Sequence, residues 1–145
     1  MIGLLQRVHQ AQVHVSGECI ASIEQGLLVL VGVLATDTGA DAERLVQRIL
    51  GYRVFADAQD KMNLSVQDIQ GDILLVPQFT LAADTRKGMR PSFTPAANPE
   101  TGRILFEHLV DTARHKHTSV ATGQFGADMQ VSLINNGPVT FWLET

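Results

Sequence analysis

The chain has 145 residues, of which 45% are hydrophobic and 18% charged, and this supplies enough apolar surface for one domain, residues 1–145, with its own core. Its longest apolar run, 27–34, is eight residues long and cannot span a membrane, which takes roughly 20. A net charge of −4 argues against a broad electrostatic grip on a nucleic-acid duplex. The single cysteine, Cys19, excludes an internal disulfide and is expected to be a half-buried strand residue.

The first residues of the chain, Met1 to Arg7, lack the basic segment and the small-residue cleavage site of a secretory signal. We therefore expect a cytoplasmic protein with no membrane partner. The next part predicts a hairpin, because 12–15 alternates polar with apolar, Ser16-Gly17 can turn and 18–23 can return. Residues 27–34 then predict a strand buried on both faces.

Two helices are predicted from capping residues and apolar spacing. Thr38 as N-cap, with Asp41 three residues later, begins a helix over 39–51. Asn98-Pro99 begins a second helix that ends near His115. We expect one face of the second helix to carry its apolar contacts, with these members: Ile104, Leu105, His108 and Leu109.

The remaining segments predict strands and one long loop. We expect strands at 53–55, at 73–76 continuing through 77–81, at 129–133 and at 139–143. Between them, 82–97 holds three basic residues, two prolines and a glycine without apolar periodicity, which is typical of a surface loop that can act as a ligand lid. Together these elements predict an α/β chain of the α+β type, with a mixed, mostly antiparallel, barrel-like sheet and two packed helices.

Standard catalytic motifs are missing. The glycine spacing fits neither a phosphate loop nor a dinucleotide fold, and there is no nucleophile elbow. His115 and His117 would point to different sides of a helix, so we interpret them as cations near a helix C-terminus and expect neither a metal nor a cofactor. His108 is expected in the core. The aromatic residues expected in the core are Tyr52, Phe106, Phe141 and Trp142.

Two segments are unusual for a plain core. The first, Gln78-Phe79-Thr80-Leu81, puts hydrogen-bonding groups and backbone N–H groups at a strand end, where ligands often bind. Thr80 lacks a nearby base, so substrate positioning or a backbone oxyanion hole is favoured over a nucleophile. The second, 135–140, contains Gly137-Pro138. Composition favours a turn there, but the pair also leaves two carbonyl groups free to face a ligand amine.

Together, Gln78-Phe79-Thr80-Leu81 and Asn135-x-Gly137-Pro138-Val139-Thr140 resemble the two signature motifs of the D-aminoacyl-tRNA deacylases of bacterial type. The resemblance extends along the whole chain through further segments in the same order: 6–8, 51–55, 61–64, 88–93 and 127–133. It implies a homodimer with active sites at the subunit interface. It also implies hydrolysis of the ester between a D-amino acid and the terminal adenosine of tRNA, a step of chiral proofreading in translation.

The resemblance also assigns roles to residues. It implies that Gly137 and Pro138 are joined by a cis bond, enter the partner's pocket, hold the substrate ammonium and exclude L side chains. Because glycine has no side chain to exclude, we expect glycyl-tRNA mischarged on tRNA(Ala) to pass the same filter. The catalytic set is Gln78, Phe79 and Thr80. The resemblance also implies that Asn135, Arg7 and Met129 take part in substrate binding. Arg7 braces the Gly-Pro segment, and Met129 lies near the adenosine.

The chain departs from the family at Pro77, where most members carry Ser. Proline removes both a hydroxyl and a backbone donor from the edge of the site, which bears on the stringency of selection. Phe79 and Val139 agree with the strictly D-selective members. Two other functions are open: a non-catalytic module that binds the tRNA end through basic loop residues, namely Arg86, Lys87 and Arg90, and an esterase or amidase that depends on Thr80.

Overall fold

The computed structural model describes the whole chain, Met1–Thr145. It contains two α-helices, α1 (Gly39–Gly51) and α2 (Pro99–Lys116), and a 3₁₀ turn (Phe79–Ala82). The eight strands are β1 (Ile2–Val15), β2 (Glu18–Ile23), β3 (Gly26–Gly32), β4 (Phe55–Ala56), β5 (Met62–Leu64), β6 (Asp72–Pro77), β7 (Val120–Thr122) and β8 (Met129–Glu144). Neither α1 nor α2 combines the length and the apolar character that crossing a bilayer requires.

The long strand β1 organises the sheet. It pairs antiparallel with β2, β3 and β8, while β6 runs parallel to β3 and β7 runs parallel to β6. The result is a six-stranded mixed sheet, and β4 and β5 form a separate two-stranded ribbon. This confirms the predicted α+β class with a mostly antiparallel, barrel-like sheet and two helices.

The central strands β3 and β6 are buried on both faces, as predicted for β3. Leu27, Val29 and Val31 of β3 pack towards the helices, in what we call the helix-side core. Leu28 packs into a second cluster made of strand residues only, which we call the inner core. A two-sided position explains why the strand reads as a continuous apolar run instead of an alternation.

Helix α1 begins and ends where the sequence predicts. The Asp41 carboxylate accepts hydrogen bonds from the Thr38 backbone N–H at 2.9 Å and from the Thr38 hydroxyl at 2.8 Å. These bonds favour the charged carboxylate and lower the pKa of Asp41. The buried side chains of α1 recur at helical spacing and pack in the helix-side core: Ala42, Leu45, Val46, Ile49 and Leu50.

Helix α2 has the predicted start but a different buried face. Its buried residues are Gly102, Phe106, Leu109, Val110 and Ala113. Ile104 is half exposed. The His108 side chain is 42% exposed and its Nε2 lies 3.3 Å from a Glu43 carboxylate oxygen on α1, so the prediction of a core histidine is wrong. The reason is angular: at 100° per residue the stripe centred on Phe106 and Leu109 turns positions 104 and 108 towards solvent.

Three further expectations about burial are wrong because they concern residues on strands with little cover. Phe141 and Trp142 are exposed instead of core, since β8 pairs only with β1. Cys19 is exposed rather than half-buried, since β2 pairs only with β1. Phe106 is buried as predicted, and Tyr52 packs against the helix-side core. The short strand predicted at 53–55 lies later, at Phe55–Ala56.

The two C-terminal strands predicted at 129–133 and 139–143 are one strand, β8, interrupted by a bulge. Gln6 pairs with Thr140 and Val8 pairs with Asn135, so that Arg7 alone lies opposite four residues, 136–139. Such an insertion changes which face of a strand each side chain occupies. Leu133, which precedes the bulge in β8, packs against the inner core, and Leu143, which follows it, packs in the helix-side core.

The corrected face of α2 gives a stability test on a single helix. We expect Leu109→Ala to lower the free energy of unfolding by about 2 to 5 kcal/mol, because the side chain is fully buried and its loss leaves a cavity. Ile104→Ala on the same helix should cost less than about 1 kcal/mol, since its side chain is 50% exposed. Urea denaturation of both variants measures the difference, and equal losses would contradict the assignment of the buried face.

Candidate active site

The segment predicted as a continuing strand at 77–81 is a strand end followed by a 3₁₀ turn. β6 stops at Pro77, which has no N–H to continue the ladder, and the Gln78 N–H makes the last bond to β3, to the Val31 carbonyl at 2.7 Å. The turn then begins at Phe79 and is closed by a bond from the Leu81 N–H to the Gln78 carbonyl at 3.2 Å. The chain therefore reverses direction at the sheet edge.

The reversal presents backbone donors at that edge. The N–H groups of Phe79 and Thr80 precede the first bond of the 3₁₀ turn, so the turn itself leaves them unpaired. Both residues are exposed. The Gln78 side-chain amide donates to the Thr80 hydroxyl at 2.5 Å, which ties these two side chains together. Two adjacent N–H groups at one edge are the arrangement that an oxyanion hole requires.

A cavity of about 460 Å³ opens beside this turn. It lies between the ends of β3 and β6, the start of α2 and the segment that leads into β8. Among its lining residues are Gln78, Phe79, Met129, Phe106 and Phe125. The volume is in the range of sites for small organic ligands, and the lining is mostly apolar with a few polar groups, as in such sites.

No residue that lines the cavity has a titratable side chain: its polar members are the amides Gln78 and Asn98. The groups with shifted pKa values lie elsewhere, for example Asp84, whose pKa is lowered by hydrogen bonds from Arg86. The predicted helix-end histidines are remote from it as well; His117 Nε2 lies 2.7 Å from the Gly71 carbonyl oxygen. No group of three or more His, Cys, Asp or Glu side chains converges on a common point.

The second motif, Gly137-Pro138, lies in the bulge between β1 and β8. Its peptide bond is cis, both residues are exposed, and Gly137 has φ +133°, a conformation that favours glycine. A Cβ atom at position 137 would meet Val139 Cγ2 at 2.7 Å. Composition favours a turn at this position, and the structure has a bulge inside one strand instead. Contact with Val139 leaves no room for a side chain at position 137.

Two predicted residues hold this bulge. Arg7 donates through Nε to the Asn136 carbonyl at 3.0 Å and through Nη1 to the Val54 carbonyl at 2.6 Å. The Asn135 side chain closes the bulge from the other side, because its Oδ1 accepts the Val139 N–H at 3.0 Å and its Nδ2 donates to the Thr140 hydroxyl at 2.8 Å. The carbonyls of 137 and 138 are left without a partner side chain in this network.

The predicted site residues thus fall into two groups on one chain. Gln78, Phe79 and Met129 line the cavity with Thr80 beside them, and Arg7, Asn135, Gly137 and Pro138 form the bulge, none of which lines the cavity. Phe106 and Phe125, which make the aromatic wall of the cavity, were not among the predicted site residues. Gly102 was a signal for this wall, because a glycine on the buried face of a helix leaves room for a neighbouring ring. A Cβ atom at position 102 would lie 3.4 Å from the Phe125 ring.

Comparison with known proteins gives one consistent result. The family model described as D-Tyr-tRNA(Tyr) deacylase matches residues 4–144. A protein of Thioalkalivibrio sulfidiphilus named D-aminoacyl-tRNA deacylase is 64% identical over 99% of this chain and 97% of its own length. A protein of Pseudomonas fluorescens with the same name is 58% identical over the full length of both chains.

Solved structures agree in fold. One described as c-Myc DNA Unwinding Element Binding Protein has a TM-score of 0.96 and 39% identity and covers 100% of this chain and 99% of that one. Another, described as a structural analysis of a probable eukaryotic D-amino acid tRNA deacylase, has a TM-score of 0.88 at 17% identity, with 99% of this chain and 98% of that chain covered. With a family model and close relatives that span almost the entire sequence, the chain belongs to the D-Tyr-tRNA(Tyr) deacylase family.

Proposed function

We propose that this chain, a deacylase by family, hydrolyses the ester bond of D-aminoacyl-tRNA in the cytosol to free D-amino acid and tRNA, and rejects L-aminoacyl-tRNA. One observation carries the chemical part of the proposal. An apolar cavity without a titratable lining residue adjoins the exposed N–H groups of Phe79 and Thr80. Such a site suits a reaction that needs stabilisation of an oxyanion more than a side-chain acid or base.

The cavity is assigned to the terminal adenosine. Its aromatic and aliphatic walls, which include Phe106, Phe125 and Met129, suit the flat faces of a base, and the Gln78 side chain supplies polar contacts. The ester carbonyl then lies at the cavity edge, over the 3₁₀ turn. This arrangement puts the carbonyl oxygen within reach of the two free N–H groups. The resemblance of residues 78–81 to the family's signature motif supports the same position.

Hydrolysis in this site proceeds by attack of water on the ester carbonyl carbon. The oxyanion that forms is stabilised by the N–H groups of Phe79 and Thr80, and the bond to the ribose oxygen breaks as that oxygen takes up a proton. The adjacent ribose hydroxyl assists the water, so the substrate supplies the proton transfer that no cavity side chain offers. Pro77, where most members carry Ser, adds no hydroxyl to this edge.

The chirality filter comes from a second copy of the chain in a homodimer. Gly137 and Pro138 do not line the cavity of their own chain but are exposed. The same strand carries three large exposed side chains, Ile134, Phe141 and Trp142, and apolar residues of this kind are enriched at protein interfaces. In the proposed dimer, the carbonyls of the partner's Gly-Pro segment hold the substrate ammonium and occupy the volume of an L side chain.

The substrate assay is the first prediction. We expect D-tyrosyl-tRNA and glycyl-tRNA to be deacylated, the latter because glycine has no side chain to exclude. L-tyrosyl-tRNA should react more slowly than the D ester by more than about 200-fold, since rejection by clash exceeds what an extra methylene in a pocket provides. Release of labelled amino acid under single-turnover conditions measures the three rates. Equal rates for the D and L esters would exclude the filter.

The role of Thr80 gives a second prediction. The Thr80 hydroxyl accepts from Gln78, and no His, Asp or Glu side chain hydrogen-bonds to it to act as a base. We expect Thr80→Ala to keep its deacylation rate within about tenfold of wild type, because the backbone N–H of residue 80 survives the substitution. Loss of all turnover with intact tRNA binding, or an acyl-enzyme trapped on Thr80, would favour the esterase alternative that depends on this hydroxyl.

A site shared between two subunits gives a third prediction. Gly137→Ala forces a Cβ atom against Val139 and Gly102→Leu fills the cavity next to Phe125, so each variant alone should be inactive. Mixed dimers contain one intact site, formed by the unaltered cavity and the unaltered Gly-Pro segment. We expect co-refolded equal mixtures to recover about a quarter of wild-type activity, because half of the dimers are mixed and each has one of two sites. No recovery would contradict a composite site.

The rival function, a non-catalytic module that binds nucleic acid, draws on two observations. The loop residues Arg86, Lys87 and Arg90 are exposed, and the solved structure at 39% identity is described as a DNA unwinding element binding protein. The deacylation assay distinguishes the two functions, since a pure binder retains the charged tRNA without releasing an amino acid.

A further inference from the structure

The basic loop 82–97 is held at its base by backbone hydrogen bonds and is exposed at its tip. At its C-terminal end, the Ala97 N–H bonds to the Val33 carbonyl at 3.0 Å and the Ala35 N–H bonds to the Pro95 carbonyl at 2.9 Å. Within the loop, Asp84 and Ser92 exchange two backbone bonds of 2.8 and 3.0 Å. Residues 85–91 therefore project as a hairpin-like tip, all exposed, from a base joined to the strand that also lines the cavity.

The tip is a cationic patch on an acidic chain. The loop contains three of the eleven basic residues and one of the fifteen acidic residues. That acid, Asp84, is paired with Arg86 through two bonds of 2.9 and 2.6 Å. Lys87 and Arg90 take part in no salt bridge and no side-chain hydrogen bond, so their charges are available to a ligand.

An aromatic pair joins the tip to the cavity. The Phe93 ring lies against the Phe79 ring with centroids 5.1 Å apart and planes inclined by 51°. Phe79 lines the cavity, yet 59% of Phe79 and 42% of Phe93 are exposed. A large exposed aromatic surface next to unpaired cations is the combination by which proteins bind single-stranded nucleic acid: bases stack on the rings while the cations contact phosphates.

We propose that the segment Asp84–Phe93 binds the single-stranded RNA that precedes the terminal adenosine of tRNA, with Phe93 stacking on a base and Lys87 and Arg90 contacting phosphates. The inference rests on the proposed function, because that function puts the terminal adenosine in the cavity whose edge is Phe79. The next nucleotides must then leave the cavity past that edge, where Phe93 and the tip residues lie. A purely acidic protein partner would use the cations but would leave the aromatic pair without a role.

The test measures RNA binding without turnover. The probe is a single-stranded RNA tetranucleotide, ACCA, with a fluorophore at its 5′ end, titrated with the full chain at increasing potassium chloride by fluorescence anisotropy. Each phosphate contact on a single strand contributes about 0.7 to the slope of log affinity against log salt. We expect the double variant Lys87→Gln/Arg90→Gln to lower that slope by about 1.4, because two phosphate contacts are lost.

A matched control has the same change of charge at the other end of α2. Arg114→Gln/Lys116→Gln removes two exposed cations near the C-terminus of the helix, about 12 to 15 Å along its axis from Phe106, the last residue of α2 that lines the cavity. We expect this variant to keep the wild-type slope. If both double variants lower the slope equally, the effect is general electrostatics and the proposal is wrong.

The stacking contact has its own variants. We expect Phe93→Ala to weaken RNA binding by about fivefold or more without changing the salt slope, because stacking is lost while the phosphate contacts remain. Phe93→Leu keeps an apolar contact with Phe79 but has no ring, so it should weaken binding similarly. Full affinity in Phe93→Leu would show that packing alone is needed and would overturn the stacking role. An acidic peptide that binds as well as the RNA would overturn the choice of partner.

Deacylation of D-tyrosyl-tRNA by the same wild-type sample separates the two proposals. If the RNA binds with the expected slope and stacking dependence but no ester is cleaved, the proposed function fails and the loop inference stands. If the ester is cleaved and the loop variants bind RNA like wild type, the loop inference fails alone.

Discussion

The hydrogen bonds of Arg7 are the interaction on which the rest of the structure depends. Its guanidinium lies where β1 is opposed by four residues of β8, and it joins the Asn136 carbonyl to the Val54 carbonyl beyond α1. The charge-assisted bond to Asn136 satisfies a carbonyl that lies in the interrupted part of the β1–β8 ladder, and the bond to Val54 ties the bulge to the segment after α1. Without such a partner, the bulge would leave backbone carbonyls unsatisfied at a partly buried position, at a cost comparable to a lost hydrogen bond.

The strand pair β1–β8 serves both cores. Leu5 of β1 packs in the helix-side core, whereas Ala11 and Val13, which a regular alternation would put on the same face, pack in the inner core. Val8 lies in the inner core by regular alternation from Leu5, so the change of face in β1 occurs at a second register shift, between Val8 and Gln10. The exposed Gly137-Pro138 segment lies at the first shift, between Gln6 and Val8, so the proposed filter and the change of face in β1 occupy neighbouring irregularities of one strand pair.

The cavity lacks side chains that could act in catalysis. It has aromatic walls and two amides but no acid, base or nucleophile, and the donors at its edge belong to the backbone. The donors are available because Pro77 ends the β6 ladder and the chain tightens into a 3₁₀ turn, which leaves its first N–H groups unpaired. Backbone donors held by a sheet edge are preorganised, so they need little reorganisation when charge develops. The sequence likewise contains no catalytic side-chain motif, and its one candidate nucleophile, the Thr80 hydroxyl, has no neighbouring base.

The sequence by itself determined the elements whose signals are local. The Thr38–Asp41 capping pair and the Asn98-Pro99 start fix both helices, since caps act within one turn, and the apolar run at 27–34 identifies a doubly buried strand. The two motifs, together with the further segments that resemble the family in the same order along the chain, were enough to predict the family. Tertiary structure alone decided the rest. β8 continues through its Gly-Pro segment because Arg7 of β1 lies opposite and binds the bulge. His108 is turned away from the core because Phe106 and Leu109 define the buried face of α2, and Phe125 packs beside Gly102 to form the cavity wall. Each of these depends on a partner distant in sequence, which no local pattern of residues encodes.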